Sequence, residues 1–71
     1  MVVYELEFKT NTSSSWKLQE TFQSAIDACH LARRITMREM DNINDLEHIS
    51  VLRVIKRDGR LRRVLKTFKI N

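Results

Sequence analysis

Proline is missing from this chain, and glycine and cysteine each occur once, as Gly59 and Cys29. Without proline, and without any glycine- or serine-rich linker, nothing in the sequence marks a domain boundary. A lone cysteine excludes an internal disulfide, and a single thiol in an apolar pattern reads as a small core residue of a reducing compartment. A lone glycine excludes a glycine-rich phosphate loop. No apolar run approaches the ~20 residues needed to span a bilayer. The N-terminus shows no basic run followed by an apolar block, so no signal peptide is expected and the location is read as cytoplasmic. The sequon at Asn11, Thr12 and Ser13 carries no weight without secretion.

The chain has 71 residues, which is read as one domain, 1–71. A chain of this size buries only about 60% of its unfolded surface. Cores that small are commonly supported by disulfides, metal or a partner. With neither disulfide nor metal cluster in the pattern, a homodimer or a partner complex is expected.

Charge is plentiful but uneven. The formal net charge is +4. Residues 1–52 hold five Lys/Arg against eight Asp/Glu, a balance of −3, whereas residues 53–71 hold eight against one, a balance of +7. Such a split points to an acidic partner, nucleic acid first and an acidic protein second.

The clearest local signal opens the chain. Val2, Tyr4, Leu6 and Phe8 alternate with Val3, Glu5, Glu7 and Lys9, the period-two pattern of a half-buried strand. A polar loop follows, then a short second strand over Trp16, Leu18 and Glu20. Ser24 with Asp27 three residues on suggests a helix capping box, with Thr21 as a rival cap. Ala25, Ala28, Cys29, Ala32 and Ile35 fall on one helical stripe flanked by Leu31, while Arg33, Arg34 and Arg38 face away. The helix is expected to end near Met40 or Asp41, because Asn42 and Asn44 suit a left-handed C-terminal position.

The last third reads as a hairpin. A strand over His48 to Arg57 meets a turn at Asp58 and Gly59, and Arg60 to Ile70 returns. A two-residue turn pairs Val54 with Arg63. A turn with a glycine bulge pairs Val54 with Val64 and brings Leu52, Phe68 and Ile70 to the helix side. The second register is preferred because it gathers the larger apolar residues. It leaves Val51, Ile55, Leu61 and Leu65 on the opposite face among Arg53, Arg57, Arg63 and Lys69. The expected architecture is α+β, in the order β-β-α-β-β: an antiparallel sheet with one helix packed on one face.

Two features carry functional expectations. Arg53, Lys56, Arg57, Arg60, Arg62, Arg63 and Lys66 gather on the hairpin, with Lys69 beyond them. A basic two-stranded ribbon fits a major groove and neutralises phosphates. The plainer reading is that edge strands carry cations to block aggregation, and that Glu5 and Glu7 lie across from some of them. Phe68 is the only aromatic beside this patch and is assigned to the core, which argues against a base-stacking platform. Secondly, Val51, Ile55, Leu61 and Leu65 exceed what an open sheet face needs, which suggests a dimer or partner surface rimmed by arginine.

Catalytic signals are weak, and an enzyme is not expected. His30 lies at helical spacing from Asp27 as a surface pair does. Cys29 has no base on its own face, and Cys29, His30 and His48 lack zinc-ligand spacing. Glu39, Asp41, Asp45 and Glu47 lack the central glycine and alternate ligands of a calcium loop. No cofactor or metal is expected.

Overall fold

A computed structural model describes residues 1–11, 14–37 and 49–70. Five elements follow in the expected order: β1 (Val2–Thr10), β2 (Lys17–Phe22), α1 (Ala25–Thr36), β3 (Ile49–Asp58) and β4 (Leu61–Lys69). The strands form one antiparallel sheet in the order β2-β1-β3-β4, and α1 packs on one of its faces. The fold is small α+β, as its alternation and its helical stripe imply.

The central pair, β1 and β3, is the most apolar. Leu6 stands opposite Val54 and Phe8 opposite Leu52. All four are buried, together with Ala28, Ala32, Ile35 and Ile49. Residues 28, 32 and 35 follow the i, i+4, i+7 spacing of a single helix face. The two alanines let α1 lie close on the sheet. Tyr4, Phe22, Cys29, Leu31, Phe68 and Ile70 pack around this core.

Ser24 precedes α1 in an extended conformation, but its side chain makes no capping hydrogen bond. The expected capping box is therefore not formed, and Asp27 contributes only its charge near the positive helix end. At the other end α1 closes at Thr36, where the Met37 N–H donates to the Arg33 carbonyl at 2.9 Å. The expected end near Met40 or Asp41 falls outside the described residues, as do Arg38, the acidic cluster and His48.

The second strand reaches further than its alternation suggests. It begins at Lys17 and runs on to Phe22, which stands opposite Tyr4 on the helix side. The register between β1 and β2 shifts at Leu6/Glu7, leaving Gln19 without a partner. Phe22 keeps the even-numbered phase of Trp16 and Leu18, and that extra residue moves it from their face to the helix side.

The hairpin register differs from both expectations. Asp58 pairs with Leu61, so Gly59 and Arg60 form the loop, and Val54 pairs with Lys66. Gly59 has φ of +62°, the left-handed region where a Cβ is disfavoured. From Ile55 to Asp58 the pairs run Ile55–Val64, Lys56–Arg63 and Arg57–Arg62. The register then slips by one, with Leu65 as the extra residue, and resumes as Leu52–Phe68. Phe68 and Ile70 thus reach the core as expected, but Leu61 and Arg63 turn to the helix side rather than the open face. The physical reason lies outside the hairpin: the tip register turns Arg62 to the open face, where it meets Glu5 and Glu7 of β1 beside Arg57, and the bulge restores Phe68 to the core.

Candidate nucleic-acid interface

The open face of the sheet carries Glu5 and Glu7 from β1, Arg53, Ile55 and Arg57 from β3, and Arg62 and Val64 from β4. Glu5 is only 8% exposed. A carboxylate removed from water to that degree needs a partner, and arginines supply it. Arg62 Nη2 lies 3.4 Å from Glu5 Oε1, and Arg57 Nη1 lies 3.8 Å from Glu5 Oε2. Glu7 is held more tightly. Arg53 Nε donates to Glu7 Oε1 at 2.8 Å, its Nη2 lies 2.8 Å from the same oxygen, and Arg62 Nη2 donates to Glu7 Oε2 at 2.9 Å. Among the described residues, no buried side-chain polar atom lacks a partner.

Arg62 starts on β4 and reaches carboxylates on β1, so it crosses the face of β3. Two strand spacings amount to about 9–10 Å, and a long side chain with an apolar stem covers that ground. Beneath this ionic layer Ile55, opposite Glu5, is 2% exposed although no helix or strand of the described residues lies over it.

Trp16 joins the same face from just before β2. The Arg53 guanidinium carbon sits 3.9 Å from the Trp16 ring centre, and Lys9 Nζ sits 4.6 Å from it. Arg53 is thus engaged twice, by a carboxylate and by an aromatic face. Residues 16 and 53 are far apart in the chain, so this contact itself has no local sequence signal. The period-two pattern that puts Trp16 and Leu18 on one face was the available signal.

The other hairpin cations lie elsewhere. Lys56 continues the helix-side alternation of Leu52 and Val54, Arg63 is its cross-strand partner, and Lys66 stands opposite Val54. Arg60 occupies the loop. All four are exposed. Among the described residues no ion pair reaches any of them. Lys66 Nζ lies 5.2 Å from the Phe68 ring centre, so Phe68 meets a cation at the margin of the core. Lys69 sits at the base of β4, opposite Val51 and away from the tip. The helix-side surface of the tip forms an open pocket of about 440 Å³ lined by Lys56, Asp58, Leu61, Arg62 and Arg63.

The sequence-predicted basic cluster therefore divides in two. Arg53, Arg57 and Arg62 neutralise carboxylates of their own chain. Among the described residues no carboxylate pairs with Lys56, Arg60, Arg63 or Lys66.

The four apolar residues expected to form a partner surface are not brought together. Ile55 is buried and Val51 half-buried on the open face, whereas Leu61 is 76% exposed on the helix side of the tip. Leu65 is exposed at the bulge. The thiol of Cys29 is free and half-buried against the core. His30 is exposed on α1. Among the described residues no three His, Cys, Asp or Glu side chains group as a metal site, and no helix is long and apolar enough to cross a membrane.

No protein-family model matches the chain, and neither a curated protein nor a solved structure matches it.

Proposed function

We propose that this chain is a small non-enzymatic binding domain that engages the nucleic-acid backbone through the tip and helix-side surface of its C-terminal hairpin. One observation carries the reading: Lys56, Arg60, Arg63 and Lys66 cluster there, exposed, with no carboxylate of the described chain within ion-pair distance. Cations held this way keep their hydration and counterions until a polyanion displaces them, which gives affinity with little sequence preference. Arg53, Arg57 and Arg62 serve a different purpose, as the structural layer of the open face. A labelled generic DNA duplex at low salt tests the proposal by mobility shift. Binding that weakens steeply with added salt supports it, and no shift at low salt removes it.

A second reading rests on the sheet edge. β4 is an outer strand of nine residues, and Leu61, Val64 and Leu65 along it are exposed. Such an edge accepts an added strand. Arg62, Arg63, Lys66 and Lys69 on that strand favour an acidic protein segment over a second copy, which would bring like charge against like. A homodimer through β4 therefore requires those cations to be neutralised. Titration with an acidic peptide addresses this reading, and unmoved β4 amides remove it; sedimentation across a protein dilution series addresses the homodimer, which a strict monomer removes.

A further inference from the structure

Two consecutive cross-strand pairs near the hairpin tip are made of like charges: Arg57 opposite Arg62, and Lys56 opposite Arg63. Like charges placed directly opposite destabilise a sheet. The first pair has its counterion, since Glu5 lies 3.8 Å from Arg57 and 3.4 Å from Arg62. The second has none among the described residues. The β1 residue paired with Lys56 is the neutral Tyr4. Asp58 lines the same pocket, but its carboxylate lies 3.9 Å from the N-terminal ammonium. The hairpin thus resolves one repulsion internally and leaves its neighbour open to solvent.

We propose that the Lys56–Arg63 pair is a phosphate-binding site, and that in the nucleic-acid complex it holds a backbone phosphodiester. The residue types suit the task. Arginine offers a planar fork that matches two phosphate oxygens, and lysine adds a point charge from the facing strand. Leu61 also lines the pocket, beside the two cations. An anion seated there relieves the cross-strand repulsion, as Glu5 does one residue pair away. The phosphodiester assignment rests on the proposed function above; inorganic phosphate shares the chemistry and serves as an independent probe.

The test uses the full chain labelled with ¹⁵N and its variant Lys56→Gln/Arg63→Gln. Both changes are at exposed positions, and removing a like-charge pair should leave the melting temperature in phosphate-free buffer no lower than wild type. Titration with inorganic phosphate should move the amides of residues 56 and 63 saturably in the wild type, with the response lost in the variant. With a short generic DNA duplex, the variant should flatten the plot of log affinity against log salt by about two units, one for each lost cation. Arg33→Gln/Arg34→Gln on α1 should leave that slope unchanged. If the wild type binds duplex and the variant binds it with the same slope, the site is overturned while the nucleic-acid reading stands. If duplex does not bind but phosphate still moves residues 56 and 63, the nucleic-acid reading falls and the site stands for small phosphates. If neither probe moves those amides, the site is overturned.

Discussion

Replacing Glu7 with glutamine separates the two roles assigned to the hairpin cations. The substitution keeps the shape of the side chain and removes its charge. Oε1 accepts from Arg53 and Oε2 from Arg62, so the new NH₂ must face a guanidinium donor in either orientation. The side chains of Glu7 and Arg53 are 12% and 22% exposed, whereas that of Arg62 is 47% exposed. Glutamine should therefore keep its oxygen toward Arg53 and turn its NH₂ toward Arg62. A hydrogen bond to a charged group contributes about 1.5–3 kcal/mol when sheltered, and a surface pair about 0–1 kcal/mol. Weakening the first and losing the second gives a destabilisation of about 1–3 kcal/mol. A chain of 71 residues has a total stability of roughly 4–11 kcal/mol, so the loss is a sizeable fraction. At about 4–8 °C per kcal/mol for a domain of this size, the melting temperature should fall by about 5–20 °C. Circular dichroism on heating, with urea unfolding as a check, measures it. The same substitution loosens Arg53 and Arg62, so duplex affinity should rise and its salt dependence steepen while stability falls. A variant that melts within about 0.5 kcal/mol of wild type, the range of an ordinary surface change, and binds duplex with the same salt slope would refute the assignment of these arginines to a structural layer.

Two further substitutions probe the scaffold. Leu52 is fully buried between α1 and the β1/β4 neighbours Phe8 and Phe68, and Leu52→Ala should cost about 2–5 kcal/mol, most of the margin of so small a domain, read by urea unfolding. At Gly59, φ is +62° and an added Cβ meets nothing within 4 Å. Gly59→Ala should therefore cost only the backbone strain, about 1 kcal/mol, read as a melting-temperature decrease without loss of the sheet signal.

How far the fold was legible follows from how local its signals are. The alternation over Val2–Phe8 and the stripe at Ala28, Ala32 and Ile35 each arise within one element, and each marks the face that the structure buries. The hairpin register does not arise locally. Asp58 and Gly59 announce a turn, but the exact loop goes with the pairing of Arg62 to carboxylates of β1, and with the bulge at Leu65 that returns Phe68 to the core. Charge shows the same division. Its concentration after residue 52 is plain from the sequence, and so is the option that Glu5 and Glu7 face some of it. Which cations they take is decided only by the register: Arg62 rather than Arg63 turns to the open face. The bulge at Gln19 likewise decides the face of Phe22, which the sequence places in phase with Trp16 and Leu18 but the structure packs on the helix side.

The central claim is that four of the seven cations clustered on the hairpin, and not all seven, are available to a polyanion. The slope of log affinity against log salt for a generic DNA duplex counts them, because each neutralised phosphate contributes about −0.9. Lys56, Arg60, Arg63 and Lys66 acting alone give a slope of about −3 to −4. A slope of about −6, which would enlist Arg53, Arg57 and Arg62 as well, or an affinity indifferent to salt, would contradict the account.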